Sequence, residues 1–364
     1  MNKLIVALIC TLTKPLLYAQ STTVPAIPGK VRLTDSIPSS SIKDQSQSPT
    51  CWVFGTNSLI ESDILKKFNI RLNLSEMFIA RYAYIDKAKQ FLTTNGKTYF
   101  EGGGQFHDVI RVINKYGIVP EEVYDGMPLN HMNHNHSRLD TAMKLFTYAL
   151  LKAGIKELNA AHLQQMNDTL DKYLGKVPVS FFFQEKLYTP VSFAQEVVHF
   201  DNDYAELVSF VDQPLYTKFI MADKYNWASD SFYNITLEDM HMLVDTALQK
   251  GWSVGWEGDV TEKEFQYAGG YASFADEAHL YDEERVTNYR NETTERDHML
   301  HITAIGRDET NKKWYYLKNS WGTYFSKYNG YLFMEENYFR LKTVILFVNK
   351  QALPLNLKVK LGIN

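Results

Sequence analysis

Thiol chemistry at a carbonyl needs a sulfur that can carry negative charge, an imidazole to move its proton, and N–H donors for the developing oxyanion. Cys51 meets the first need. It stands at the head of a stretch in which Phe54, Leu59, Ile60, Ile64 and Phe68 approximate one face of a helix, with Pro49 and Thr50 just ahead, so helix-start N–H groups and the dipole would favour its thiolate. The Cys51 N–H is one candidate oxyanion donor, and the amide of Gln45, six residues upstream, is another. No base is adjacent in sequence. His298 opens one alternating stretch and Asn319 follows another, Trp314 to Lys318, and neighbouring antiparallel strands could bring the two together. An Asn carbonyl accepting from one ring nitrogen would fix the imidazole tautomer and aim the other nitrogen at sulfur. Trp321 could cover that bond against water. Each residue alone has a bland reading: a core cysteine, a structural histidine, a turn asparagine. Their combination points to acyl transfer.

Cysteine usage sharpens the choice of nucleophile. The chain has two cysteines, and the first, Cys10, lies in a stretch that reads as an export signal. Lys3 supplies the positive charge, Leu4 to Leu12 the apolar run, and Tyr18-Ala19-Gln20 a cleavage point after Ala19. Residues 1–19 are therefore expected to be removed, leaving a periplasmic or secreted protein with Cys51 as its one thiol and no intramolecular disulfide. Lys14 interrupts the apolar run, which is short for a membrane span, and no later segment is long and apolar enough.

These residues need elements to hold them. Residues 20–42, rich in Ser, Thr and Pro, read as an extended arm. Helices are expected from Cys51, from Asn73 with Glu76 as its capping-box partner, between Gln105 and Tyr116 with Gly117 closing the turn, and through residues 138–175. Thr236 should cap another, ending at Lys250-Gly251. Strands are expected at 252–260, 298–305, 314–318, 330–334 and 344–348, with His298, Leu300, Ile302 and Ala304 sharing one face. A helix-rich first half and a strand-rich second half make the class α+β, in two lobes. The main domain spans about 43–350, with a helical insertion near 137–230, and residues 351–364 form a tail. Net charge is −4 and no Lys/Arg run could follow a phosphate backbone, which argues against nucleic acid as principal partner. His131, His134 and His136 have no carboxylate or thiolate companion at ligand spacing, so the tract reads as a solvated loop rather than a metal site.

The segment Gln45-Ser46-Gln47-Ser48-Pro49-Thr50-Cys51-Trp52 resembles the active-site segment of papain-like cysteine peptidases. Asp297-His298 is similar to that family's histidine motif, and Asn319-Ser320-Trp321-Gly322 to its asparagine motif. His298 follows Cys51 by 247 residues, against roughly 130–150 in papain itself. The bleomycin hydrolase and bacterial aminopeptidase C branch carries long insertions there. Gly103-Gly104-Gln105, the run 115–120 and the run 254–260 also resemble that branch. The resemblance implies a papain-like fold with the site between its lobes, peptide substrates, no metal or organic cofactor, and a ring-type homo-oligomer. It also implies that Gly103 and Gly104 border the substrate cleft, where missing side chains let a peptide backbone approach. A simple turn before the next helix is the alternative for that pair. In bleomycin hydrolase a long C-terminal tail enters the cleft and its carboxylate holds the substrate's amino group. Here Leu355 to Asn364 would have to fold back to do so, or else form a strand on the β-rich lobe, since Leu355, Leu357, Val359 and Leu361 alternate. An aminopeptidase is the expected activity. An endopeptidase and a silent peptide-binding homologue are the alternatives.

Overall fold

The computed structural model describes residues 28–128, 132–201, 203–274 and 282–363. The expected export signal, the first part of the arm, His131 and Asn364 lie outside the described residues. The expected arm is not merely extended: β1 (Arg32–Ser36) pairs antiparallel with a later strand, Arg32 facing Arg307.

The helical lobe follows. Helix α1 runs Cys51–Phe68 and ends at Asn69 in the left-handed conformation, which a short amide side chain tolerates. Helix α2 (Glu76–Thr93) starts two residues later than expected, because Ser75 rather than Asn73 accepts the first-turn N–H, from Phe78. Glu76 is drawn instead into a buried cluster with Lys43. Helix α3 (Phe106–Tyr116) opens with Asp108 accepting from the Gln105 N–H at 2.9 Å and stops at Gly117, whose φ of 80° suits a residue without a Cβ. Residues 138–175 form two helices, α4 (Ser137–Lys152) and α5 (Ala160–Leu174).

The stretch near 137–230 was expected to be helical, and it is mixed. After α5 come the hairpin β2 (Phe181–Phe183) and β3 (Lys186–Tyr188), the short α6 (Pro190–Glu196), then β4 (Tyr204–Val208), β5 (Lys218–Ile220) and β6 (Ser231–Asn234). Its β4 to β6 extend the main sheet through the β4–β13 pair. The remaining elements are α7 (Leu237–Gln249, capped by Thr236), β7 (Val254–Gly258), β8 (Phe265–Gln266), β9 (Tyr271–Ala272), α8 (Asp282–Arg290), β10 (His298–Arg307), β11 (Lys313–Lys318), β12 (Tyr331–Glu335), α9 (Glu336–Lys342), β13 (Thr343–Asn349) and α10 (Leu355–Leu361). The sheet runs β5-β6-β4-β13-β7-β10-β11-β12-β9-β8.

Both faces of this sheet are covered, so β10 is buried throughout His298–Gly306 rather than on one side. Met299, Ile345 and Phe347 join the core around α1 to α3, with the Phe106 and Phe347 rings stacked 4.9 Å apart. Leu300, Ile302, Leu346 and Val348 pack on the other face with Leu243 of α7 and Leu357 and Leu361 of α10. The tail is thus a helix, neither a strand nor a segment entering a cleft. It lies across the sheet from α1 and is tied to α7 by Lys360 bonding Asp239.

Candidate active site

Cys51 is the first residue of α1, and Thr50 caps the helix without a side-chain hydrogen bond. It is the one free cysteine among the described residues. The Met299 and Trp52 backbones favour its thiolate, which places the sulfur near the start of β10. The helix-start effect expected for this thiol is outweighed: burial pushes it up to about 12, with Glu257 and Asp297 adding in the same direction.

His298 opens β10 and Asn319 follows β11; these strands pair from His301 opposite Lys318, and the two side chains meet just beyond that ladder. The His298 Nε2 donates to Asn319 Oδ1 at 2.7 Å, leaving Nδ1 as the ring nitrogen that can exchange a proton with sulfur. Burial lowers His298 to about 4, against which the Asn319 bond pulls upward. Trp321 lies over the imidazole, ring centroids 4.5 Å apart, and its indole is itself held edge-on by Tyr267 at 4.9 Å.

Gln45 is held by two hydrogen bonds. Its Oε1 accepts from Ser320 Oγ at 2.6 Å and its Nε2 donates to Ser48 O at 2.9 Å. An amide nitrogen carries two N–H groups, so one stays available for an oxyanion. The backbone repeats the join, Gln45 N donating to Ser320 O at 2.8 Å. Ser320 was missed in the sequence, although it stands inside the Asn-Ser-Trp-Gly motif. What marks it is the pairing of the loop before α1 with the loop after β11, which no local pattern shows.

The histidine tract is not a solvated loop where it is described. His134 and His136 are buried, and burial lowers both below the usual imidazole range. Their backbones clamp the loop before Cys51: Gln47 N donates to His134 O and His136 N to Gln47 O. Among the described residues no His, Cys, Asp and Glu group is arranged to hold a metal ion.

Gly103 and Gly104 lie beside the site. A Cβ on Gly104 would stand 2.8 Å from the Trp52 ring, and the Trp52 Nε1 donates to Gly102 O at 2.9 Å. The missing side chains here let the segment press against Trp52, the residue after Cys51.

Behind the site sits a buried polar group that sequence reasoning did not find. Lys318, next to Asn319, donates to Ser58 of α1 and to Ser40, and Ser58 shares a hydrogen bond with His301. Burial lowers Lys318 to about 8 despite nearby Glu61. This network ties α1 to β10 and β11 beside His298 and Asn319.

A thiol at a helix start, an imidazole bonded to an asparagine and an oriented amide in a seam between helix and sheet define a papain-like thiol hydrolase architecture. The sequence profile of the Peptidase C1-like family matches residues 30–362, and the chain belongs to that family. It is similar to aminopeptidase G and aminopeptidase C of Lactobacillus delbrueckii subsp. lactis, at 22% and 24% identity over 87% and 88% of this chain and 82% of each relative. It is 23% identical to cysteine proteinase 1, mitochondrial, of Saccharomyces cerevisiae over 90% of this chain and 77% of that protein. Among solved structures, PepW of Lactobacillus rhamnosis matches in fold with a TM-score of 0.73 at 19% identity, covering 91% of this chain and 84% of that one.

Proposed function

We propose that this chain is a cysteine peptidase that hydrolyses amide bonds through a thioester on Cys51, and that it acts as an aminopeptidase. The observation that carries the reading is the 2.7 Å His298–Asn319 bond beneath Trp321, with Cys51 at the head of α1 near the residues on either side of His298, Asp297 and Met299. Cys51 Sγ attacks the carbonyl carbon as its proton passes to His298 Nδ1. The oxyanion takes N–H bonds from Cys51 and Gln45 Nε2. His298 then hands the proton to the leaving amine, the C–N bond breaks and the thioester remains. Water gives a proton to His298 and attacks the thioester, and the thiol regains its proton as the acid departs.

The aminopeptidase half of the reading is supported by the names of the relatives. The placement of α10 favours the endopeptidase alternative, since the described tail packs across the sheet from α1. Coumarin amides of single free amino acids, compared with amino-blocked peptides, separate the two. Activity on either should vanish in Cys51→Ala, together with labelling by an epoxysuccinyl reagent. A Cys51→Ala protein that still hydrolyses at the wild-type rate would refute the thiol mechanism. We also propose export, supported by the Lys3 to Leu12 pattern and the Ala19 junction. Native protein whose amino terminus begins at Met1 would place it back in the cytosol.

A further inference from the structure

An aminopeptidase must stop the cleft just beyond the substrate's first residue, and the tail of this chain is packed elsewhere. The molecule has another candidate for the stop, in the insertion before β6. The geometry first sets the direction of the substrate. His298 supplies the leaving amine's proton, so the amine departs on the side where His298 lies against Trp321 and Gln45 against Ser320. The acyl part, which carries the substrate's amino terminus, then lies on the other side of Cys51, along Trp52 and the Gly102–Gly104 segment.

That path ends at Tyr225. A Cβ on Gly103 would stand only 2.7 Å from the Tyr225 ring, so the glycine is what lets the ring seat there. Tyr99 packs on the same ring edge-to-face at 5.0 Å. From the opposite wall, the Arg296 guanidinium lies 5.4 Å from the ring centre, two residues before His298. Tyr225 therefore touches both walls of the seam that holds the catalytic pair. Its position is built rather than incidental. Asp223 accepts from the Tyr225 N–H at 2.6 Å and pairs with Arg296, which is itself buried and also lies 3.4 Å from Glu257. Beyond the ring is a recess of about 370 Å³, lined by Asp223, Lys224, Arg296 and Asp297 as well as Tyr225. The ring stands between this recess and Gly103.

Resting on the peptidase reading, we propose that Tyr225 is the specificity-determining stop of this enzyme: it closes the cleft on the amino-terminal side of the scissile bond and confines substrates to peptides whose free amino end lies next to that bond. The insertion does the work for which the tail is out of place. Removing the ring joins the recess to the cleft and creates room for further residues or a blocking group.

The test compares wild type, Tyr225→Ala and Tyr225→Phe on a free aminoacyl coumarin amide and on an amino-blocked dipeptidyl coumarin amide. Tyr225 is only partly buried, so the fold should tolerate its loss. The expected result is a rise of at least about 10-fold in kcat/KM for the blocked substrate in Tyr225→Ala, with the free substrate changed by less than about 3-fold and Tyr225→Phe like wild type. A second readout needs no turnover. The rate at which an epoxysuccinyl dipeptide alkylates Cys51, followed by mass, should rise similarly in Tyr225→Ala, while alkylation by iodoacetamide stays constant. Equal free-to-blocked ratios and equal alkylation rates in all three proteins would overturn the stop. So would a wild type that cleaves blocked peptides as fast as free ones, and the peptidase reading would survive that result. A wild type that neither hydrolyses any amide nor reacts with the epoxysuccinyl reagent would overturn the peptidase reading instead.

Discussion

The two faces of the main sheet are built from the same strands and put to opposite uses. Towards α7 and α10 the centre of the face is apolar: Leu300, Ile302, Leu346, Val348 and Trp256 meet Leu243, Val244 and Leu357. Towards α1 the same strands present His301, Lys318 and Glu257 among Met299, Ile345 and Phe347. Burying apolar area contributes stability at about 25 cal/mol per Å². Burying ionisable groups contributes little or costs stability unless they are fully paired. On the α1 side several buried polar atoms lack a hydrogen-bond partner among the described residues: Glu257 Oε2, His301 Nε2 and, on a neutral amide, Asn319 Nδ2. The apolar face supplies the rigidity, and the polar face spends some of it to hold a thiol, an imidazole and an amide in one geometry.

This contrast can be broken from either side. Changes at the catalytic positions on the α1 side should damage turnover far more than stability. His298→Ala should reduce kcat to near background, since it removes the proton carrier. Gln45→Ala should cost about 10²–10³ in kcat, the loss usual for one oxyanion donor. Asn319→Ala should be milder than His298→Ala because it removes only orientation. The comparison is measured by kcat on a free aminoacyl amide alongside the thermal midpoint of each variant, and equal mild losses in all three would dissolve the site.

On the far face the pattern should reverse. Leu357 is fully buried, and Leu357→Ala should destabilise by roughly 2–5 kcal/mol. The folded fraction should keep its kcat/KM and its ratio of free to blocked cleavage. Urea titration gives the first quantity and steady-state kinetics the second. A shift in that ratio would mean that the tail reaches the cleft after all.

The smallest effect concerns pH. The reacting pair works while it holds one proton, shared between Cys51 and His298. With His298 lowered to about 4 and the Cys51 thiol raised to about 12 by burial, that form spans the range between. The kcat/KM profile should therefore be nearly flat from pH 5 to 8, apart from substrate ionisation, and its acid limb should fall near pH 4 rather than 6.5. The same shift has a stability consequence. Between about 6.5 and 4 the unfolded chain binds a proton at His298 that the folded chain refuses, so this contribution is present above 6.5 and lost as pH falls through about 4. An acid limb centred at 6.5 would show that water reaches the imidazole in solution.

Much of the site was legible in the chain because its parts carry local signals. A cysteine after Pro-Thr at the head of an apolar period marks a helix start, and Gly117 and Thr236 announced a helix end and a helix start through their own backbone preferences. Other expectations failed where a tertiary partner decided. Glu76 bonds Lys43 instead of closing a capping box. The 137–230 insertion supplies β4 to β6 because an open edge at β13 was there to be paired, and short strands of three to five residues leave little period to detect. Ser320, Lys318 and the His134–His136 clamp announce themselves only when loops distant in sequence meet.

The sequence by itself marked the candidate residues: a thiol at a helix start, an imidazole at the head of one strand and an asparagine after the next. Those depend on residue type and on backbone preferences that act within a few residues. The tertiary structure alone decided where the alternating Leu355 to Leu361 segment would go. Its two-residue period suits a strand, yet Leu357 and Leu361, one turn apart, fill the apolar face beside α7 as a helix. A seven-residue helix is marginal on its own, so the face it covers selects its conformation, and that choice carries the tail away from α1 and leaves Tyr225 at the end of the cleft.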